Sequence, residues 1–288
     1  MSKIYVLYNP IAGNGACEKN ISVLDEIFAG RELEYVDFIG LNGDLKGFFD
    51  GLLPDDKVVL CGGDGTINCF INQIDTDTIV NEVMYYPLGS GNDFYNDVAA
   101  NPKEKKAIVI NEYIKNLPFV EVNDIKKRFI NAIGFGIDGY CCEEGDRQRK
   151  LRPGKPVNYT TVALKGLVYD YHRVNAKICV DDKKYEYKDV WMVPALNGRY
   201  YGGGMMCAPN QDRINNNNTV SVIIVSSKSR LKLLVAFMSI FKGTHIKYKS
   251  TVTELKGTNV QVEFDRPTSL QIDGETVTNV TQYIVYRR

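Results

Sequence analysis

The stretch Val58-Val59-Leu60-Cys61-Gly62-Gly63-Asp64-Gly65-Thr66-Ile67-Asn68 decides how the rest of the chain is read. Its apolar, β-branched opening predicts a buried strand. The spacing of Ile67, Phe70, Ile71 and Ile74 predicts a helix directly after it. Three glycines and one carboxylate occupy the turn between the two. A strand that breaks into a helix through glycines presents backbone N–H groups and the positive end of the helix, which together make an anion site. Asp64 within that loop repels a bare phosphate unless a cation lies between them. The physical reading is a nucleotide phosphate with Mg2+, Asp64 facing the metal directly or through water. The competing reading is a tight βα turn with Asp64 as a helix cap.

Toward the N-terminus, residues 4–8 predict a first strand, closed by Asn9-Pro10-Ile11-Ala12-Gly13-Asn14-Gly15, with a helix from about Glu18 to Phe28. On its own this loop reads better as an ordinary βα connection than as a phosphate or ribose site. Glu34–Ile39 predicts another strand, and Leu45–Leu53 a short helix before Pro54. Toward the C-terminus, Val83–Tyr86 predicts a strand, and Pro87-Leu88-Gly89-Ser90-Gly91-Asn92-Asp93-Phe94 is a third glycine-bearing turn. Lys103–Lys115 predicts a helix, with Ala107, Ile108, Ile110, Tyr113 and Ile114 on its apolar side. Alternating strands and helices imply an open, mostly parallel sheet. Ligands of such sheets sit beyond the carboxyl ends of the strands, where all three glycine turns fall.

Beyond Pro118 the pattern changes to period-2 strands: Phe119–Val122, Phe129–Ile133, Ala176–Val180, Tyr185–Tyr187, Val190–Pro194, Val220–Val225, Val260–Phe264 and Tyr283–Tyr286. Helical stretches at Tyr159–Tyr171 and Arg230–Phe241 interrupt them. The expectation is an α/β domain over 1–118 that binds nucleotide, then a β-rich antiparallel sandwich over 119–288. Gly134-Phe135-Gly136-Ile137-Asp138-Gly139 matches the dinucleotide pattern Gly-x-Gly-x-x-Gly. The next segment, Tyr140–Lys150, reads as too charged and glycine-broken for a good helix, and no suitable acid stands about 20 residues on, so a Rossmann cofactor is rejected. No Gly-x-x-x-x-Gly-Lys-Ser/Thr loop occurs.

In 288 residues, Lys+Arg and Asp+Glu both number 35, so bulk electrostatics suggest neither a nucleic-acid partner nor a polybasic membrane protein. Seven cysteines without a Cys-x-x-Cys pair suggest a reducing cytosol. The N-terminus runs straight into a strand and lacks a signal-peptide layout. The longest apolar run, Leu233–Phe241, is far short of the roughly 20 residues of a spanning helix. A cytoplasmic protein is expected. The segment Arg230–Lys242 is basic at both ends and apolar between. It reads as a core-packed helix, with partial exposure for lipid docking as the alternative.

Leu270-Gln271-Ile272-Asp273-Gly274-Glu275 taken alone is a hairpin turn. Phosphoryl transfer to a hydroxyl needs a phosphate cradle, a metal held by carboxylate and a base on the acceptor. The first domain offers the first two and no obvious base. His172 and His245 read as surface or packing residues. A carboxylate delivered by the second domain across a cleft would complete the set.

Asn9-Pro10 with Gly13, Gly62–Asn68, Pro87–Phe94 and Asp273-Gly274-Glu275, in this order and at these separations, resemble the diacylglycerol kinase catalytic-domain family. These are bacterial soluble lipid kinases, similar also to sphingosine and ceramide kinases. The resemblance implies ATP, with Asn9, Gly13, Ser90 and Asn92 at the nucleotide and Gly62, Gly63, Gly65 and Thr66 on the phosphates. It implies that Asp64 organises Mg2+ and that Glu275 is the general base on the lipid hydroxyl. Glu121 falls where the family has a further acidic residue. The family's acidic turn for a structural Mg2+ is replaced by Asn215-Asn216-Asn217, poorer ligands for a hard dication. The implied activity is phosphorylation of a membrane lipid such as diacylglycerol, met at the bilayer surface. The alternatives are a NAD kinase-like enzyme acting on a soluble ribose and a nucleotide-binding protein that has lost its chemistry. The sequence names neither the lipid nor the oligomeric state, a homodimer included.

Overall fold

The structure, a computed structural model, describes residues 2–155 and 157–287. The chain divides into two compact units, Met1–Leu117 and Pro118–Arg288.

The first unit runs β1 (Ile4–Tyr8), α1 (Ala12–Asn20), α2 (Val23–Ile27), β2 (Leu33–Asp37), α3 (Leu45–Asp50), β3 (Lys57–Gly62), α4 (Asp64–Gln73), β4 (Glu82–Pro87), α5 (Asp93–Val98), β5 (Ile108–Val109) and α6 (Asn111–Ile114). Its sheet has the order β2-β1-β3-β4-β5. The first four strands are parallel, and β5 is an antiparallel edge. The apolar runs are continuous because both faces are covered. Val6, Val59, Cys61, Met84 and Tyr86 pack with Cys17 of α1 and Leu24 of α2. The alternate residues Leu7, Val58, Leu60, Val83 and Tyr85 are equally buried, and Tyr85 meets Phe94 of α5 edge-on.

Two helices differ from the sequence reading. The helix expected over 18–28 begins at Ala12, inside the glycine turn, and breaks after Asn20, whose side chain turns back onto the Ala16 carbonyl (2.7 Å). Of the helix expected over 103–115, only Asn111–Ile114 forms. The Tyr95 hydroxyl accepts the Lys106 N–H (2.8 Å) and anchors that stretch as loop, while Ile108 and Val109 pair with Tyr85 and Met84.

The second unit runs β6 (Phe119–Val122), β7 (Ile125–Arg128), β8 (Ala132–Phe135), α7 (Ile137–Leu151), α8 (Tyr159–Lys165), a π turn (Gly166–Asp170), β9 (Val174–Val180), β10 (Lys183–Met192), β11 (Ala195–Leu196), β12 (Val220–Ser226), α9 (Arg230–Ile240), β13 (Val252–Gly257), β14 (Asn259–Ile272) and β15 (Glu275–Tyr286). The strands make one antiparallel sheet, β7-β6-β15-β14-β8-β11-β12-β10-β9 with β13 beside β12. β14 is long enough to pair with β9 along its first half and β8 along its second, which closes the sheet on itself. Val220, Val222 and Ile224 of β12 point into the closed interior. Ile223 and Val225 point to the other face, against Leu233, Ala236 and Ile240 of α9. The strand period of two thus serves two cores.

The segment after the dinucleotide-like pattern is helical, against expectation. Gly139 of α7 lies where any Cβ would collide with the Ser269 carbonyl, and Gly145 packs under the Tyr159 ring. Those glycines permit close packing rather than breaking the helix. Its charges pair along one side, Glu144 with Arg147 and Asp146 with Arg149. The strand expected over 129–133 begins only at Ala132, because the N–H groups of Ile130, Asn131 and Ala132 go to the Asp273 carboxylate. Among the described residues no helix is long and apolar enough to cross a membrane.

Candidate functional site

In the first unit the three glycine turns meet at the carboxyl ends of β1, β3 and β4. Gly62 ends β3 with its carbonyl accepting three hydrogen bonds, from the N–H groups of Leu88 and Gly89 (both 2.8 Å) and the Tyr85 hydroxyl (2.9 Å). A Cβ on Gly89 would collide with the Cα of Gly63, and one on Gly62 with the Thr66 side chain. Gly13, at φ +62°, would place a Cβ 3.0 Å from the Leu88 carbonyl oxygen. The Asn9 amide donates to the Thr66 hydroxyl (3.3 Å), and its Oδ1 accepts the Ile11 N–H. Asn92, in the left-handed region, donates to the Gly89 carbonyl (2.8 Å). Gly65 has open space where a side chain would point, and Ser90 is exposed at the tip of the third turn. The sequence-predicted residues of this unit therefore lie together around one point, with Tyr85 an additional brace that its strand position did not signal.

Asp64 opens α4, and its carboxylate reaches the third turn. Oδ2 accepts the Asp93 N–H and Oδ1 the Phe94 N–H, both at 2.8 Å. It caps a helix, as the competing reading had it, yet the helix is α5 and not its own. Two first-turn donors of α5 are thereby committed to Asp64. At the start of α4 the Thr66 and Ile67 N–H groups reach the Gly63 carbonyl (2.9 and 3.3 Å), so what this end offers an anion is chiefly the positive end of the helix. A carboxylate oxygen can accept more than one hydrogen bond or ligand, and Mg2+ typically asks for only one or two carboxylates besides phosphate and water. Asp64 fits that demand. Among the described residues no cluster of three or more His, Cys, Asp or Glu forms a self-sufficient metal site.

In the second unit, Asp273 and Glu275 flank Gly274 at the β14–β15 hairpin and do different things. Asp273 (φ +45°) and Gly274 (φ +92°) form the turn. The Asp273 carboxylate accepts the N–H groups of Ile130 (2.6 Å), Asn131 (2.9 Å) and Ala132 (3.0 Å). Gln271 takes the Gly274 N–H. Beneath this clasp, the buried Arg213 donates to the Ile130 carbonyl and the Asn131 side chain, and Arg287 to Asn197. Burial lowers the Arg287 pKa to about 10. Glu275, the first residue of β15, carries a side chain 60 % exposed and ion-paired with Lys127 of β7. Glu121 of β6 pairs with Lys126 (2.8 Å) and accepts the Tyr286 hydroxyl (2.6 Å). His245 is buried with a ring nitrogen 2.9 Å from the Cys207 carbonyl oxygen, and His172 is exposed. The Asn215 amide is engaged in closing its own loop on Asp212 and Thr219.

One further acid stands apart. Asp138, at the start of α7, accepts the Tyr201 hydroxyl (2.8 Å), and burial pushes its pKa up to about 7. Burial also pushes its neighbours Cys142, Cys207 and Tyr201 upward, so they stay neutral beside it.

Residues 3–122 match the diacylglycerol kinase catalytic domain, and residues 131–285 match the YegS C-terminal NAD kinase beta sandwich-like domain. The fold and these matches define a lipid-kinase class of protein. The chain belongs to the diacylglycerol kinase catalytic-domain family. It is 24 % identical over 282 residues to the diacylglycerol kinase of Mycobacterium tuberculosis (strain ATCC 25618 / H37Rv), covering 92 % of this chain and 89 % of that one. It superposes on a crystal structure of a diacylglycerol kinase from Bacillus anthracis str. Sterne with a TM-score of 0.62 and 18 % identity. That match covers 99 % of this chain and 93 % of the other, a likeness of fold.

Proposed function

We propose that the protein is an ATP- and Mg2+-dependent lipid kinase that phosphorylates a hydroxyl of a membrane lipid such as diacylglycerol. The observation that supports this most is the meeting of three glycine turns around Asp64 at the strand ends of the first unit. The reading assigns the donor's phosphates to the first turn of α4 and to the Gly62–Thr66 and Gly89–Asn92 backbone. Asp64 would hold the cation. Mg2+, when bound, neutralises charge on the phosphoryl group in transfer. The acceptor oxygen forms its bond to the γ-phosphorus as the bond to the bridging oxygen of ADP breaks. The hydroxyl proton passes to the Glu275 carboxylate. The Asp273 clasp fixes the turn on which Glu275 stands, and the Lys127 pair fixes its side chain. We place the reaction at the cytoplasmic face of a bilayer, where ATP and the lipid meet.

The test is transfer from γ-labelled ATP to diacylglycerol, monoacylglycerol, phosphatidylglycerol, sphingosine and undecaprenol, with NAD+ as the soluble acceptor, in wild type and Glu275→Gln. Label in a lipid is expected, with turnover falling roughly 10²–10⁴-fold in the variant, the usual contribution of a positioned base. Nucleotide binding by calorimetry stays unchanged, because the proposed contacts lie in the first unit. The melting temperature also barely moves, since an exposed ion pair is worth about 0–1 kcal/mol. Label in NAD+ alone, or full activity of Glu275→Gln, overturns the assignment.

A further inference from the structure

The second unit carries a cationic pocket that the phosphotransfer reading does not use. His172, Arg173, Trp191, Lys228, Arg230 and Arg266 line a space of about 470 Å³. Trp191 is buried and its indole N–H donates to the Ser227 carbonyl (2.9 Å). The Arg230 guanidinium lies 5.2 Å from the centre of its ring. The cations are fixed by backbone carbonyls: Arg230 donates to Leu167, Arg266 to His172 and Arg173, and Arg173 to Lys228. None of the lining residues is acidic. Asp189 pairs with Arg173 (2.8 Å), and Asp265 is engaged by Asn175. A guanidinium has five N–H donors, so anchoring to one or two carbonyls leaves others for a ligand. With Arg173 compensated by Asp189, Lys228, Arg230 and Arg266 still place like charge around one space, and an anion relieves that repulsion.

Apolar side chains continue from the pocket along two elements. On α9, Leu231 (72 % exposed), Val235 and Met238 (60 %) recur at spacings of four and three, while Leu233, Ala236 and Ile240 face the core. Core packing and exposed apolar side chains therefore lie on opposite sides of one helix. On the π turn, Val168 and Tyr169 (74 % exposed) directly follow Leu167, whose carbonyl Arg230 holds. A soluble anion has no use for these exposed apolar groups, whereas a bilayer takes both charge and apolar surface.

We propose that this pocket takes the phosphate of an anionic lipid headgroup in a bilayer while Leu231, Val235, Met238 and Tyr169 enter the interface. It is a docking site built from none of the residues of the Asp273–Glu275 turn, and it stands whichever lipid is the acceptor. The experiment is co-sedimentation of the full chain, without ATP, with phosphatidylcholine vesicles lacking or containing phosphatidylserine. Binding is expected only to the anionic vesicles. Lys228→Gln/Arg230→Gln should weaken it roughly thirtyfold, since each basic residue near an anionic surface contributes about fivefold. Because Arg230 also anchors Leu167, Leu231→Ser/Met238→Ser provides the second arm. Its sites are exposed, so it should lose vesicle binding with an unchanged melting temperature. Equal binding to neutral vesicles, or anionic binding unchanged in either folded variant, overturns the proposal. Inorganic phosphate that competes fully with vesicles at low concentration overturns the choice of a bilayer. Asp64→Asn should bind vesicles like wild type, so failure of the kinase reading shows separately.

Discussion

Replacing Asp64 by Asn separates what this carboxylate does for the fold from what it does for chemistry. Both its oxygens accept backbone N–H groups at 2.8 Å, from Asp93 and Phe94. Asn keeps one acceptor and turns an NH2 group toward the other N–H. Hydrogen bonds to a charged acceptor contribute about 1.5–3 kcal/mol each, and the negative charge at the start of α5 adds a few tenths to about 1 kcal/mol. The expected loss is about 2–3 kcal/mol. For a cooperative unit of this size, that lowers the melting temperature by roughly 5–12 °C. The assay is thermal unfolding with and without nucleotide, followed by kcat against free Mg2+ well below the variant's transition. Turnover should fall more than tenfold, with a higher Mg2+ requirement. If Asp64 serves only as a cap, the folded variant keeps wild-type Mg2+ dependence and turnover within tenfold, about 1.4 kcal/mol of barrier. An unchanged melting temperature together with that result would refute both roles.

Asp138 predicts a pH dependence of stability. With a folded pKa of about 7 against an ordinary 3.8, the native state keeps a proton that the unfolded chain releases between those values. Stability therefore falls as pH rises from about 4 through 7, by at most about 4 kcal/mol. Asp138→Asn can still accept from Tyr201 and should flatten the fall. Melting curves from pH 5 to 8 that stay parallel in wild type and variant would sink this. Asp273→Asn keeps one oxygen for the Asn131 and Ala132 N–H groups but turns an NH2 group toward the Ile130 N–H and removes the charge, and should destabilise by about 2–3 kcal/mol. Its turnover should drop through the loosened turn while Glu275→Gln leaves the melting temperature alone. Equal melting temperatures of Asp273→Asn and wild type would remove the clasp.

The sequence made the sheet of the first unit legible because its central strands β1, β3 and β4 are apolar runs followed by glycine-bearing turns, and Gly62 and Gly89 mark close approaches that a Cβ would not tolerate. The helices were harder. Residues 103–115 carry a helical apolar period, yet Tyr95 and the edge strand claim the backbone N–H groups, a tertiary decision that leaves no local signal. In α7 the error ran the other way. Gly139 and Gly145 read as breakers, although their role is to let Ser269 and Tyr159 approach. The partners of the site residues were equally silent. Nothing in the pattern ties Asp64 to residues 29 and 30 positions later, Asp273 to residues 130–132, or Lys127 to Glu275.

Those partners change how the carboxylates should be weighed. Asp64 stands in a glycine turn that reads as chemistry and Asp273 in one that reads as a hairpin, and each ties a distant loop by accepting backbone N–H groups. A bond of that kind is costly to remove, because it strands buried donors as well as an acid. Loss of activity at either position is thus no measure of a chemical role. Glu275 differs. It is 60 % exposed and paired with Lys127 at the start of β15, where a change of charge has little to disturb in the fold. Of the acids that the sequence singled out, it is therefore the position at which activity and stability separate, and at which a kinetic effect can be read as chemistry.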